Sequence, residues 1–538
     1  MSKRLRFILG AALVFLMLAG AGVTLFGDNI RKFFGQSTAA LASPVSYSGS
    51  REGASVDYGP GFQRKKMSVF LEETSARQAP QSREPAPPPN AFTLAATDAL
   101  STFAVDVDTA SYVLFRRTVR EGRRPHPSEV RVEEWVNYFR YRIPEPTPEE
   151  GAFHVALEAA PSPFKPRQHI LKVGLQGRHV APEQRKPTHL VFLVDTSGSM
   201  EGADRLGLAK TAMRLAVAKL NPTDTVTLST YAGDVRTVLE TTPAKQRGVI
   251  EAAIDSLRSG GGTAMGDGLE LAYRHAARMA GPNRVARVVV LTDGDTNLGR
   301  NLTASDMLKA VRGYVKEGVT LSTIGFGMGN YRDDLMEKLA NEGNGNCFYI
   351  DSEQEARRVF QQQLAGTLEV IAQDVKVQVE FDTAAVRGYR LLGYENRAIA
   401  DRDFREDSVD AGEIGAGHTV TALYEVELTG EGERVATVRV RAKQPGGAEA
   451  AEQRFFLERS QVRETLAQAS SDLRFAVAVA GTADLLRGVN TEDEDRGFSR
   501  VHSLAEDAVD GQADREEFVS LLRQVRTLAS QRVATVPY

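Results

Sequence analysis

"HLVFLVDTSGSM", His189 to Met200, runs from five consecutive apolar residues into an aspartate, and then into a threonine, two serines and a glycine. A continuous apolar run of this length is the pattern of a strand covered on both faces, as in a parallel sheet. A strand exposed on one face would alternate instead. The run ends abruptly in small oxygen-bearing side chains: Asp195, Ser197 and Ser199. In doubly wound sheets ligands bind beyond the carboxyl ends of the strands, where strand order reverses. The stretch therefore reads as a buried strand feeding a binding loop.

The surrounding sequence fits that reading. "LGLAKTAMRLAVAKL" places Leu206, Ala209, Met213, Ala216 and Leu220 at helical spacing. "TVTLSTYA" and "VRTVLETT" read as strands, "QRGVIEAAIDSL" and "GDGLELAYRHAARMA" as helices, and "RVVVLTDG" as a second buried strand. The alternation continues to about residue 367. It predicts an α/β fold with a doubly wound, mostly parallel, Rossmann-like sheet over 187–367. Two further loops carry the same kind of group. "SGGGTAMGDG" sets Thr263 behind three glycines, which permit tight turns, and "VVLTDGDTN" ends its strand at Asp293. Two carboxylates and three hydroxyls are hard oxygens that suit a hard cation. Mg²⁺ is the expected ion, with near-octahedral oxygen coordination at about 2.1 Å, and Ca²⁺ or Mn²⁺ are the alternatives. These loops offer neither the thiolate nor the imidazole of a softer site.

"DTSGS", "GGT" and "TDGD", in this order, resemble the metal-ion-dependent adhesion site of von Willebrand factor type A domains. The resemblance implies that Ser197, Ser199 and Thr263 give hydroxyls to the metal. It implies that Asp195 and Asp293 bind it directly or through water, and that a sixth position awaits an acidic group from a protein partner. Outside that region, "STFAVDVDTASYVLFRR", "VRVEEWVNYF", "YRLLGYENR" and "VDAGEIGAGHTVTALYEV" are similar to the flanking regions of a bacterial group of exported von Willebrand A proteins. Many of that group are lipoproteins. Here "LMLAGAG" has Ala21 where a lipidated cysteine would stand, so that attachment is not available.

The chain divides by composition. Residues 1–30 hold Lys3, Arg4 and Arg6 before the uncharged Phe7–Phe26. Twenty apolar residues can span a bilayer, with the basic flank in the cytoplasm. The rival readings are a cleaved signal sequence, for which Ala19-Gly20-Ala21 fits the cleavage pattern, and a buried helix of a soluble domain. Anchor and signal both place the bulk of the chain outside the cytoplasm, at the cell membrane or envelope. Residues 31–95 include "SARQAPQSREPAPPPNAF" and read as a disordered, proline-rich linker. An N-terminal flanking region follows over 96–150, read as a compact unit over 97–146, with Val130, Trp135, Val136 and Phe139 near one helical face. Strands are expected over 151–186 and a β region over 368–460, the two forming one β domain that the α/β region interrupts. A helical region closes the chain over 461–538.

Composition excludes several functions. The 538 residues are 42% hydrophobic and 25% charged with a net charge of −4, which gives no electrostatic case for nucleic acid. The single cysteine, Cys347, excludes an internal disulfide and a multi-cysteine zinc site. It opens the apolar run "CFYID" and reads as a buried small hydrophobe. "VDTSGS" lacks the glycine and the second copy that an aspartic protease needs, "GGTAMG" has Ala264 where a subtilase has serine, and no P-loop lysine is present. Asp106 and Asp108 lack the spacing of a calcium loop. His418 reads as structural, and "NTEDEDRG" as a solvated acidic loop. The expected function is binding without catalysis: an exported, membrane-tethered, metal-dependent module for adhesion or assembly. The alternative is an envelope scaffold whose metal only stiffens the fold, and hydrolase is the minor alternative.

Overall fold

The computed structural model describes residues 88–534, apart from 106–107, 263, 282, 295–303, 328–332, 361–365, 367–368, 410, 446, 448 and 490–492. The apolar segment Phe7–Phe26 and most of the linker lie outside the described residues. Among the described residues no helix is long and apolar enough to cross a membrane.

In chain order the first elements are β1 (Thr93–Leu94), β2 (Leu100–Ala104), α1 (Ala110–Arg120), α2 (Val132–Tyr138), β3 (Phe153–Pro161) and β4 (Gln168–Gly177). Then come β5 (Thr188–Asp195), α3 (Leu208–Val217), β6 (Thr225–Tyr231), β7 (Val235–Pro243), α4 (Arg247–Ser256), α5 (Met265–Ala277) and β8 (Val285–Thr292). The α/β part finishes with α6 (Ala304–Val315), β9 (Val319–Phe326), α7 (Asp333–Glu342), β10 (Cys347–Ile350) and α8 (Glu353–Arg358). Strands β11 (Val370–Phe381), β12 (Val386–Leu392), β13 (Gly412–Gly415), β14 (Thr419–Leu428), β15 (Arg434–Lys443) and β16 (Ala450–Glu458) follow. Helices α9 (Ser471–Leu486), α10 (Glu494–Glu506) and α11 (Ala513–Ala534) come last.

The expected α/β sheet is present, with strand order β10-β9-β8-β5-β6-β7. All its pairings are parallel except that of β6 with the edge strand β7. The apolar run of β5 is explained by two separate cores. Val191 and Leu193 pack with Met265, Leu269 and Ala272 of α5. Leu190, Phe192 and Val194 belong instead to the core of Ala209, Met213, Ile250 and Ile254, from α3 and α4. Side chains of a strand alternate between faces, so a strand with helices on both sides must be apolar at every position. From β5 the chain passes to β6 on one side and later returns to β8 on the other, so strand order reverses between β5 and β8.

The β segments on either side of the α/β region pair with each other. One sheet has the order β1-β12-β14-β4-β3, with β14 antiparallel to β4 along nine residues. A second has the order β13-β11-β15-β16. Val173 and Leu175 of the first share a core with Val377, Val379, Val438 and Val440 of the second.

The stretch 97–146 does not form a unit of its own. β2 joins β11 in the second sheet. Tyr112 and Phe139 meet Phe475 and Phe518 of α9 and α11 in one aromatic cluster. A stretch of fifty residues buries too little of its surface alone, and here its apolar side chains use partners more than 300 residues away. Val130 and Phe139 flank α2 rather than lying within it, yet both are buried with Trp135 and Val136.

Candidate functional site

Asp195 is the last residue of β5 and Asp293 follows the last residue of β8, so both stand at the point where strand order reverses. The side chain of Asp195 is fully buried. Its Oδ1 accepts the backbone N–H of Ser197 at 2.8 Å, and its Oδ2 accepts the hydroxyl of Thr292 at 3.0 Å. Ser197 Oγ and Ser199 Oγ are 2.9 Å apart. Ser197 is buried, Ser199 half-buried, and Asp293 at 9% exposure lies at the surface end of the group. The structure thus brings Asp195, Ser197 and Ser199 into one loop and sets Asp293 beside them. Thr263 lies outside the described residues.

The loop that carries Thr263 is clasped to the Asp195 loop up to Gly262. Gly260 N–H donates to the Thr196 carbonyl at 2.8 Å, and Gly198 N–H donates to the Gly261 carbonyl at 3.2 Å. Gly261 has φ +92°, and a Cβ there would stand 2.9 Å from the backbone nitrogen of Gly233. Only glycine fits both the left-handed conformation and that approach.

The electrostatics favour a cation. Burial drives the Asp195 carboxyl up to about 6, the Asp293 charge pushes the same way, and the hydrogen bonds from Ser197 and Thr292 oppose it. A buried carboxylate beside a second one is relieved by positive charge. Two adjoining hydroxyls add neutral oxygen without adding repulsion. Among the described residues no three of histidine, cysteine, aspartate and glutamate gather as metal ligands. Asp195, Asp293, Ser197 and Ser199 present carboxylate and hydroxyl oxygens, the hard donor type that suits Mg²⁺.

Two supporting residues escape sequence reasoning. Thr292 spends its hydroxyl on Asp195 and accepts the Gly294 N–H at 3.0 Å, tying the two acidic loops together. Arg205 donates from its guanidinium to the Ser199 carbonyl and fixes the outer serine. Thr292 reads as an ordinary strand residue, and Arg205 as the lead-in to a helix. Asp108 is buried, and its Oδ1 accepts the Cys347 N–H at 2.8 Å, a packing role; Asp106 lies outside the described residues. Asp493 caps α10, while residues 490–492 of the acidic loop lie outside the described residues.

A mostly parallel sheet with hydroxyl and carboxylate loops at its switch point fits one class, the von Willebrand factor type A proteins, here with a β sandwich and helices added. The family model for the von Willebrand factor type A domain matches residues 189–363, and one described as von Willebrand factor matches 86–172. The model for the C-terminal part of the uncharacterized protein YfbK matches 366–437 and 429–528. Uncharacterized protein YfbK of Escherichia coli (strain K12) is 36% identical over 461 residues, covering 79% of this chain and 78% of its own. Uncharacterized protein sll0103 of Synechocystis is 29% identical over 195 residues, 36% of this chain and 45% of its own. Among solved structures, a von Willebrand factor type A protein from Catenulispora acidiphila aligns with TM-score 0.45 and 18% identity, over 69% of this chain and 89% of its own. The chain belongs to the YfbK family of von Willebrand factor type A domain proteins.

Proposed function

We propose that this chain is an exported, membrane-tethered protein-binding module for adhesion or assembly. It holds a divalent cation, Mg²⁺ in the first instance, on Asp195, Ser197, Ser199, Thr263 and Asp293, and presents it to an acidic side chain of a protein partner. The observation that carries the reading is the meeting of Ser197 Oγ and Ser199 Oγ, 2.9 Å apart, beside a buried Asp195 at the switch point. When bound, the cation supplies a Lewis-acidic position for a carboxylate. Asp195 is held by Ser197 and Thr292, so its oxygens are set in place before a metal arrives. The basic residues before Phe7–Phe26 support export and anchoring.

The test is capture of envelope proteins by the full chain in detergent, with Mg²⁺ and after chelation. Proteins retained only with Mg²⁺, and lost when an acidic residue of theirs is neutralised, support the reading. Identical capture in both conditions would reject it and leave the cation a stabilising role in a scaffold.

A further inference from the structure

A second polar site lies about 20 Å of strand away from Asp293, at the opposite end of β8. There the start of β8 and the turn after α7 face β13 and the loop of residues 396–403, across a cleft of about 350 Å³. That is within the range of small-molecule sites. Its wall includes Arg287, Asn344, Asn346, Arg397, Glu413 and His418.

Arg287 is the anomaly. Its side chain is 1% exposed, with the apolar Ala286 and Val288 beside it along β8, Leu190 opposite on β5 and Thr320 opposite on β9. A guanidinium carries five N–H donors in a planar fork. Nη1 donates to Ser322 Oγ at 2.9 Å, and Nε meets no acceptor among the described residues. Glu413 is the carboxylate that acts on it. Burial lowers the guanidinium to about 10 against that pull, so it remains charged at neutral pH. A buried arginine is ordinarily matched by a carboxylate or phosphate in two-pronged geometry. Here Glu413 faces the charge without a two-pronged pair, and the buried side chain borders the cleft with its Nε unpartnered among the described residues. Arg397 also lines the wall, but its guanidinium is paired with the buried Asp108 at 3.4 Å and donates to Asn341 Oδ1 at 2.7 Å, so Arg287 is the cation on which the site rests. Asp403 also lines the wall, so the ligand must engage the Arg287 side and keep clear of the two acids.

We propose that this cleft binds a small organic oxyanion, a carboxylate or phosphate carried on a compact molecule, with the oxyanion on the Arg287 fork. The site is separate from the metal loops and does not depend on them.

The probes are succinate and inorganic phosphate, titrated into the full chain in detergent by calorimetry, with chloride at matched ionic strength as control. The protein is first dialysed free of divalent cations, so that the metal loops present only carboxylates and repel both probes. Saturable binding of succinate, phosphate or both, absent with chloride, is expected, and the stronger probe identifies the oxyanion. Arg287→Gln should weaken binding by at least about tenfold. Because that side chain is buried, a second variant guards against misfolding. Ala400 is exposed, lines the cleft and precedes the turn Asp401–Arg405, where aspartate is a favoured cap. Ala400→Asp should fold as the parent does and repel the anion from the mouth, weakening binding several-fold. No saturable binding of either probe would overturn the proposal. So would binding that both folded variants retain at full strength.

Discussion

Replacing Asp195 by asparagine should strengthen the metal-free protein while abolishing its response to Mg²⁺. The carboxyl is held at about 6 in the fold against a value of 3.8 when unperturbed. A folded-state value above the unfolded one means that protonation favours the fold. The associated stability is fully present below 3.8 and is lost as pH rises through about 6. The difference is about two pH units, and at about 1.4 kcal/mol per unit the ionised group costs the metal-free fold about 3 kcal/mol at pH 8. Asparagine keeps the shape and the acceptor for the Ser197 N–H and carries no charge. Its amide meets the Thr292 hydroxyl, which must turn to accept, so part of the gain is lost and about 1–2 kcal/mol should remain. Urea denaturation of metal-free protein at pH 5 and pH 8 reads this out. The parent should lose stability between the two, and Asp195→Asn should lose markedly less. Mg²⁺ at a hundred times its dissociation constant should then return about 2.7 kcal/mol to the parent and nothing to the variant. A variant less stable than the parent in metal-free buffer at pH 8, or one that still gains from Mg²⁺, would refute the reasoning.

Ser197→Ala removes one hydroxyl from the pair that meets at 2.9 Å and leaves β5 intact. Capture of the native partner should fall at least about tenfold with an unchanged circular dichroism spectrum. Gly261→Ala forces a side chain into a left-handed position against the Gly233 nitrogen, so melting should show a loss of about 1–3 kcal/mol. Arg116 is buried with Asp351 at 2.5 Å and Glu355 at 3.0 Å; Arg116→Met leaves Asp351 only Arg120 at 3.9 Å, while Glu355 keeps Arg358 and the Tyr138 hydroxyl, so denaturation should show a loss of about 3 kcal/mol, the low end for a broken buried pair. A reporter active only in the cytoplasm, fused after Tyr538, should be silent if Phe7–Phe26 directs export.

The α/β sheet is legible because its signal is local. An unbroken apolar run cannot be a half-exposed strand, and the helices that cover β5 show their own periodicity. Asp195, Ser197 and Ser199 are legible for the same reason, since three close neighbours in sequence share one loop. What the sequence hides is long-range. Alternation marks β4 and β14 as strands, but cannot tell that they pair across some 250 intervening residues. Thr292 becomes a partner of Asp195 only because β5 and β8 are adjacent. Arg287 opens "RVVVLTDG", a run read as a buried strand, and nothing local in the sequence tells that its guanidinium is buried beside residues of the second sheet. The helical spacing in 97–146 is real, yet the surface it buries belongs to α9 and α11, which no pattern within that stretch can reveal.

The placement of the α/β region bears on how its two ends are used. It leaves the sandwich after β4 and returns at β11, so the start of β5 lies at the joint and Asp195 lies seven residues further on. At about 3.3 Å per residue that puts the acidic loops about 23 Å along the strand from the joint. Arg287 sits at the jointed end, where α/β and sandwich residues together line a cleft. One flanking element reaches the far rim. Arg117 of α1 donates to the Gly327 carbonyl and the Tyr349 hydroxyl, just beyond β9 and within β10. Gly327 in turn packs against Arg205, the residue that fixes the Ser199 carbonyl. Arg116, the neighbour of Arg117, anchors the same helix to Asp351 and to Glu355 of α8. Helix α1 is thus fastened to the end of the sheet that carries the Asp195 and Asp293 loops, although its chain enters from the sandwich. If a partner binds at those loops as proposed, a pull on it would load α1 and its buried ion pairs as well as the sheet.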